Sequence, residues 1–250
     1  MKFFKKETLS NNRVHVFVCG IKILSCNKYS KNKLKQKVVL FDDNGECEIF
    51  YKKQLPKNIV LHGGGRNNVV KINKGCISRK IDILFDDNAS DCHVVLEDSC
   101  GCTGLEMSVV FQAGIGSRLM IGKNTVINGA KIWLGNGSVL SIGNNCMLSY
   151  EIVIRTTDGH TILDNVTNAV VNHQKRPCII GDNCWIGLRT IINKNARLPN
   201  NTIVASGSVL TRAFKEEYTV LAGNPAVVIK SGVRFVEDSI YMFEKKCGVQ

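Results

Sequence analysis

Aliphatic residues recur at every sixth position in one stretch of this chain, from residue 180 to residue 210. The stretch contains an uninterrupted series of six such residues: Ile180, Ile186, Ile192, Leu198, Val204 and Leu210. Because about one residue in five is aliphatic, chance would produce this series roughly once in ten thousand trials. An α-helix repeats every 3.6 residues and a simple strand every two, so neither gives a strict period of six. The period is instead typical of a solenoid, in which each coil stacks on the next.

Asparagine or glycine stands three residues after most of these aliphatic residues, which we call guide residues. In this stretch the positions concerned are Asn183, Asn195, Asn201 and Gly207, and Asn124 and Asn145 follow upstream guide residues, Ile121 and Ile142, in the same way. Both residue types tolerate the left-handed backbone conformation that a tight corner requires. Three hexapeptides would then form one triangular coil of about 18 residues, with the guide residues pointing to its axis. An ordinary β-sandwich would show alternating strands at less regular spacing and is therefore disfavoured.

The same register is present upstream, although it slips. It covers Ile115, Ile121, Ile127 and Trp133, and then Ile142, Leu148 and Ile154. The next guide, Ile180, follows Ile154 by 26 residues instead of six, so about 20 residues are surplus to the repeat. Long loops in compact domains are usually functional. We therefore predict an extruded loop over residues 155–177, which carries two of the five histidines, His160 and His173.

Both ends of the chain lack the repeat. Two apolar segments around Asn44-Gly45 predict a β-hairpin, and residues 1–60 as a whole predict a small β-rich cap over the first coil. Residues 233–250 show the helical spacing of apolar residues, at Val236, Ile240 and Phe243. We therefore divide the chain into a cap (1–60), a β-helix (61–232) and a short helical tail (233–250). The tail is expected to pack on the outside of the last coils.

The chain has 33 basic and 21 acidic residues, which gives a formal net charge of +12. Its lysine clusters lack a nucleic-acid-binding motif and a set of stacking aromatic residues, so we expect no nucleic-acid partner. A solvated face and attraction to an acidic substrate or an anionic membrane surface remain as explanations. No apolar window is long enough to span a membrane, no signal peptide is evident, and the 11 cysteines are odd in number. These features predict a reduced, cytoplasmic protein.

Three segments add specific sequence to the repeat: IIGDNCWIG at 179–187, ASGSVLTR at 205–212 and AGNPAVVIK at 222–230. Together with the hexapeptides, they make residues 110–232 resemble the left-handed β-helix acyltransferases. The resemblance is strongest to the coenzyme A-dependent O-acetyltransferases of galactosides, maltose, chloramphenicol and bacterial surface polysaccharides. It implies an all-β, left-handed parallel β-helix, which is a hexapeptide-repeat solenoid, and a homotrimer with active sites between neighbouring subunits. It also implies acetyl-CoA as the donor, a sugar hydroxyl as the acceptor and no metal.

The resemblance also implies roles for residues of the loop. The TTDGHT segment places His160 where the family has a histidine that takes the proton from the acceptor hydroxyl. This role suits an imidazole, because histidine titrates near neutral pH and its neutral form is available as a base. Arg155, Asp158 and His173 are candidate substrate contacts, although His173 is equally well explained as an ordinary loop histidine. Asp158, Glu151 or a backbone carbonyl could orient His160.

Further positions correspond to the cofactor groove of the family. They are Trp185, Ser206, Thr211, Arg212 and Lys230. In the family the tryptophan lies along the pantetheine arm or shapes the acceptor pocket, and a basic residue at the position of Lys230 meets the nucleotide phosphates. Two positions depart from the family's pattern: Leu188 stands in place of a small polar residue, and Val227 stands in place of a second basic residue.

The leading hypothesis is an acetyl-CoA-dependent O-acetyltransferase that acts on a bacterial cell-surface saccharide. The positive charge favours an acidic acceptor, such as a glycan that contains sialic acid, or peripheral association with membrane-linked glycan assembly at the inner membrane face. N-acetylation of an amino sugar nucleotide and a non-catalytic β-helix scaffold stay open as alternatives. A γ-type carbonic anhydrase would need three zinc-binding histidines, and the two nearest here are 13 residues apart. Serine acetyltransferase would need a helical N-terminal domain, which residues 1–60 do not suggest.

Overall fold

The hexapeptide register folds as a stack of triangular coils. The computed structural model describes residues 4–8, 13–18, 21–27, 33–42, 44–56, 58–98, 104–112, 114–173 and 176–248. Strands of successive coils pair in parallel, and the inward side chain of each strand fills the space between the walls. The predicted parallel β-helix is therefore confirmed.

The strands in chain order are β1 (Phe4–Thr8), β2 (Arg13–Val18), β3 (Ile21–Asn27), β4 (Lys33–Asp42), β5 (Gly45–Tyr51), β6 (Ile59–Gly63), β7 (Val69–Asn73), β8 (Ser78–Phe85), β9 (His93–Leu96), β10 (Leu105–Phe111), β11 (Arg118–Ile121), β12 (Val126–Leu134), β13 (Val139–Ile142), β14 (Met147–Leu148), β15 (Ile152–Arg155), β16 (Cys178–Ile180), β17 (Trp185–Ile186), β18 (Ile191–Ile192), β19 (Arg197–Leu198), β20 (Ile203–Val204), β21 (Val209–Leu210), β22 (Thr219–Gly223) and β23 (Ala226–Ser231). A 3₁₀ turn covers Lys52–Gln54, and the helix α1 covers Ile240–Cys247.

Three faces run along the later coils. The first face contains β4, β7, β9, β11, β13, β16 and β19. The second face contains β14, β17, β20 and β22, and the third contains β15, β18 and β21. The long strand β12 belongs to both of these faces, because its start pairs with β14 and its end with β15.

The coils shorten along the chain. Partners on the first face are Val69, His93, Arg118 and Val139, which corresponds to coils of 24, 25 and 21 residues, whereas Ile179 pairs with Arg197 across only 18. The longer coils contain the continuous strands β8, β10 and β12 in place of two short strands and a corner. The six-residue register is therefore a property of the later coils alone.

Nine guide residues line the axis of these later coils, and each is at most 2% exposed: Ile142, Leu148, Ile154, Ile180, Ile186, Ile192, Leu198, Val204 and Leu210. Two predicted upstream guides are wrong. Ile115 is 57% exposed in the connection between β10 and β11, where it forms a parallel bridge with Ser90. Trp133 points outward because β12 alternates with a period of two, which buries Ile132 and Leu134 instead.

The predicted corners are confirmed by the backbone. The five asparagines have φ between 53° and 66°, and Gly207 has a φ of 73°. The asparagines of one corner also stack, because Asn124 donates to Asn145 at 3.4 Å and Asn145 donates to Asn183 at 3.2 Å through side-chain amides. Hydrogen bonds between coils thus reinforce the residues that turn the chain.

The N-terminal part is rich in strands, as expected. Strands β1, β2 and β3 form an antiparallel sheet, and β4 and β5 form the predicted hairpin around Asn44 and Gly45. Because β4 also pairs in parallel with β7, the first face already begins within residues 33–42. Lys28, Lys31 and Lys57 of the basic clusters lie outside the described residues. The division of the chain at residues 60 and 232 stays a prediction.

The C-terminal part leaves the last coil as a hairpin of β22 and β23. Residues 234–237 then run beside the second face, where the Phe235 ring lies 6.2 Å from that of Trp185. The predicted helix is present as α1, with Ser239 as its N-cap and Gly248 as its C-cap. None of its eight residues is buried. The segment before the helix, and not the helix itself, therefore makes the expected contact with the outside of the coils. Within the described residues, no helix is long and apolar enough to cross a membrane.

Candidate active site

The extruded loop leaves the β-helix at a corner and returns to it without changing the register. Strand β15 ends at Arg155, β16 begins at Cys178, and Ile142 pairs with Ile180 across the insertion. Inside the loop, Leu163 and Val170 form an antiparallel bridge. The tip is closed by Asp164, whose Oδ1 accepts hydrogen bonds from the backbone of the residues two and three positions later, at 3.0 and 2.8 Å. The loop is therefore a small hairpin with its own turn.

Aliphatic side chains cover much of the outside of this loop. The exposed ones are Ile162 (54%), Leu163 (51%), Val166 (87%), Val170 (38%) and Val171 (54%). A concentration of exposed apolar side chains on a short segment is typical of a surface that contacts another protein.

Three side chains, which we call the loop anchor, join the two ends of the loop: Asp158, Asn172 and Lys194. The Lys194 Nζ donates to Asp158 Oδ2 and to the Asn172 carbonyl oxygen, both at 2.5 Å. The Asn172 Nδ2 donates to Asp158 Oδ2 at 2.8 Å. Partial burial alone would raise the pKa of the Asp158 carboxyl, but hydrogen bonds from Lys194 and Asn172 outweigh burial and lower that pKa. Asp158 therefore acts as a carboxylate that binds the anchor together.

His160 lies two residues after Asp158, and its side chain is exposed. Its backbone carbonyl accepts a hydrogen bond of 2.8 Å from Asn172 Nδ2, which fixes the main chain at this point. Both carboxylates considered as partners for the imidazole accept hydrogen bonds from basic side chains. Asp158 is bound in the anchor, and Glu151 accepts a hydrogen bond of 2.7 Å from Arg189 Nε, which lowers the pKa of Glu151. His173 is exposed on the returning limb, next to Asn172.

Arg155 connects the loop to the outer surface of the third face. Its guanidinium lies 5.9 Å from the centre of the Trp133 ring, within the range of a cation–π contact. It also donates to the Asp158 carbonyl oxygen at 3.4 Å. The sequence did not reveal the role of Trp133, because its position in the register predicted an inward side chain.

A groove of about 810 Å³ lies on the same outer surface, along β8, β10, β12 and β15. Its polar lining includes Lys80, Asp82, Glu106, Asn128 and Lys131. Lys131 and Val153 line this groove two residues before Trp133 and Arg155 on β12 and β15, so the groove leads towards the base of the loop.

Trp185 lies on the second face and is 40% exposed, with its ring against Phe235. Ser206 is exposed at the corner between the second and third faces, directly beside Gly187 of the preceding coil. A Cβ on Gly187 would lie 2.6 Å from the Ser206 backbone nitrogen, so the two coils approach closely here. Lys230 is exposed on β23, which extends the sheet of the second face.

Thr211 and Arg212 are exposed at the corner that carries the loop. Because Ile154 pairs with Ile192 and Ile192 with Leu210, the start of the loop, Lys194 and Arg212 lie in successive coils of this corner. The Arg212 guanidinium lies 5.3 Å from the centre of the Phe214 ring.

The predicted residues therefore form two groups within one chain. Arg155, Asp158, His160 and His173 lie together at the corner between the third and first faces, with Thr211 and Arg212 on later coils of that corner. Trp185 lies on the second face, which is opposite this corner in a triangular coil. Among the described residues, no three histidine, cysteine, aspartate or glutamate side chains are grouped as metal ligands.

Comparison with known proteins gives several matches. A polysialic acid O-acetyltransferase of Escherichia coli O1:K1 / APEC is 27% identical over 118 residues, which are 47% of this chain and 38% of that protein. A Dictyostelium discoideum protein with a provisional acetyltransferase name is 35% identical over 132 residues, which are 52% of this chain and 67% of the relative. The solved structure of a polysialic acid O-acetyltransferase has a TM-score of 0.64 at 22% identity and covers 87% of this chain and 97% of that one. No protein-family profile matches the chain.

The chain thus spans between 38% and 67% of the length of these two curated relatives. The structural likeness confirms the fold as a left-handed parallel β-helix. A chain with this fold that matches two thirds of the Dictyostelium relative at 35% identity belongs to the left-handed β-helix, hexapeptide-repeat acyltransferase family.

Proposed function

We propose that this chain is an O-acetyltransferase that transfers the acetyl group of acetyl-CoA to a hydroxyl of a saccharide, with His160 as the general base. The observation that carries the proposal is an exposed histidine on an anchored loop that leaves the hexapeptide coils. The acceptor oxygen attacks the thioester carbonyl while the neutral imidazole takes its proton. The carbon–sulfur bond then breaks, and the proton passes to the thiolate of the departing coenzyme A.

We assign acetyl-CoA, the donor, to the outer surfaces on which the predicted cofactor-binding residues lie. The exposed indole of Trp185 suits contact with the pantetheine arm, and Ser206 and Thr211 offer hydroxyl groups at corners. Arg212 and Lys230 are exposed cations and suit the phosphates of the nucleotide. Leu188 is 38% exposed and apolar, so no polar contact to the donor is assigned to it.

We assign an acidic saccharide as the acceptor, with Arg155 and His173 as its contacts at the base of the loop, whereas Asp158, the third predicted contact, is held in the loop anchor. The net charge of +12 favours a negatively charged chain, and the Escherichia coli relative is named for polysialic acid. The groove beside the loop has room for a polymer to extend away from the reacting hydroxyl. Such a substrate would place the enzyme in the cytoplasm, at the face of the inner membrane where cell-surface glycans are assembled.

We further propose a homotrimer in which each active site is shared by two copies. Two observations support this arrangement. His160 and Trp185 lie on opposite sides of the same coils, so one chain does not bring them together. The five exposed aliphatic residues of the loop would also be covered if the loop lay against a neighbouring chain.

An acceptor screen with acetyl-CoA tests the reaction. Sialylated, neutral and amino-sugar glycans are incubated with the protein, and the products are identified by mass and by treatment with hydroxylamine. We expect acetylated sialylated glycans whose acetyl group is released by hydroxylamine, as an ester is. A stable product on amino sugars would instead identify an N-acetyltransferase, and no product with any glycan would favour a scaffold.

The variant His160→Ala tests the base. We expect turnover to fall by at least about 100-fold with little change in acetyl-CoA affinity, because only proton removal is lost. His93→Ala, at an exposed histidine on β9, is the matched control and should keep full turnover. Near-normal turnover of His160→Ala would contradict the assignment.

A further inference from the structure

We infer that Lys194 is a positioning residue, which ties both ends of the extruded loop to the β-helix and so fixes the main chain at His160. The catalytic part of this inference rests on the proposed function. The anchoring part does not, because it concerns only contacts between the loop and the coil.

Lys194 belongs to the β-helix and not to the loop. It lies in the turn between β18 and β19, one coil after the start of the loop. Its side chain is only 18% exposed, whereas those of Lys80 and Lys246 are 69% and 60% exposed. The Lys194 ammonium group is therefore held between the two limbs of the loop instead of pointing into solvent.

The contacts of Lys194 reach both limbs at once. Asp158 lies two residues before His160, and Asn172 lies twelve residues after it. The Lys194 ammonium group donates to the carboxylate of the first and to the backbone carbonyl of the second, each at 2.5 Å. A single cation thus closes the base of the loop.

Asn172 passes this constraint on to His160. Its Nδ2 donates to both Asp158 Oδ2 and the His160 carbonyl oxygen at 2.8 Å, and its Oδ1 accepts from the Ile162 backbone nitrogen at 2.9 Å. Without the Lys194 cation, the Asp158 carboxylate and the Asn172 carbonyl both lose a donor. The His160 carbonyl oxygen would then still accept a hydrogen bond from the Asn172 side-chain amide, but Asn172 itself would be held less firmly.

A general base is sensitive to such a change. Displacement of a reacting group by about 1 Å can reduce turnover by a factor on the order of 100. We therefore expect Lys194→Met to lower turnover by about 10- to 100-fold. The Michaelis constant for acetyl-CoA should change by less than about twofold, because the loss concerns orientation of the base and not donor binding.

The experiment compares Lys194→Met with Lys123→Met in the chain of 250 residues. Lys123 occupies the matching turn position after β11, two residues beyond a guide and just before a left-handed asparagine, and it is exposed. Two quantities are measured: hydrogen–deuterium exchange of peptides that cover residues 158–173, and turnover at saturating acetyl-CoA. We expect faster loop exchange and lower turnover for Lys194→Met only. Asp158→Asn should speed loop exchange in the same way, and combining it with Lys194→Met should add little.

Unchanged hydrogen–deuterium exchange of the loop in Lys194→Met would overturn the inference. Faster exchange with normal turnover would also overturn it, provided that His160→Ala lowers turnover in the same assay. A rise in the acetyl-CoA Michaelis constant without a loss of turnover would also overturn it, because Lys194 would then contact the donor. If the unaltered protein acetylates no acceptor, the proposed function fails, while loop exchange still decides whether Lys194 anchors the loop.

Discussion

At the scale of single residues, this β-helix depends on glycines at positions where successive coils approach too closely for a Cβ atom. Gly187 is one such place, because a Cβ there would lie 2.6 Å from the Ser206 backbone nitrogen and 2.7 Å from the Val204 carbonyl oxygen. Both atoms belong to the backbone of the next coil and cannot rotate away. The glycine thus permits the spacing of the coils at the corner that carries Ser206.

Gly187→Ala should therefore destabilise the protein by about 1–3 kcal/mol, the usual range for forcing an extra group into a packed site. The free energy of unfolding is measured by chemical denaturation. Gly129→Ala is the control, because its Cβ would meet no atom closer than 3.6 Å and its stability should be nearly unchanged. Equal stability of the two variants would mean that the coils can separate at Gly187 without cost.

At the scale of strands, the alternation of inward and outward residues sets the core. On β11, Ile121 is 1% exposed at the axis, while the preceding Met120 is 39% exposed on the outer surface. The two residues are neighbours with apolar side chains of similar size. Only the direction of the side chain distinguishes them.

Ile121→Ala should consequently cost about 2–5 kcal/mol of unfolding free energy, since it leaves a cavity in the core. Met120→Ala should cost less than about 1 kcal/mol, because its side chain is already partly in water. Both values come from the same denaturation experiment. Similar losses for the two variants would be inconsistent with the inward direction of Ile121.

The sequence allowed the later coils to be predicted almost residue by residue, because they keep the six-residue register and, where no loop is inserted, pair at intervals of 18 residues. It failed at Trp133, where the continuous strand β12 changes the period to two, and at Ile115, which lies in the connection between β10 and β11. The histidine loop was visible as a gap in the register. Lys194 was not, because its partner Asp158 is 36 residues away and only the folded coils bring them together.

At the scale of the whole molecule, the two groups of candidate residues face different directions. The loop projects from one corner, and Trp185 lies on the opposite face. An arrangement of this kind is productive when identical chains meet head to tail around a closed ring, so that the corner of one chain faces the second face of the next.

Mixed oligomers test this arrangement. Chains that carry His160→Ala and chains that carry Trp185→Ala, each with low activity alone, are co-expressed with different tags and purified together. We expect roughly a third of the activity of the unaltered protein, because one of the three interfaces in a mixed trimer pairs two intact residues. A mixture of His160→Ala with the double variant should stay inactive. No recovery in stable mixed oligomers would show that each site is built by one chain.

The preserved pairing of Ile142 with Ile180 across the loop has a broader consequence. The chain leaves the scaffold and rejoins it at adjacent coils, so the number of residues in between does not affect the walls. The loop and the walls of the β-helix are thus encoded in separate parts of the sequence. Evolution, or a protein engineer, can exchange the loop as a cassette while the same set of coils continues to support it.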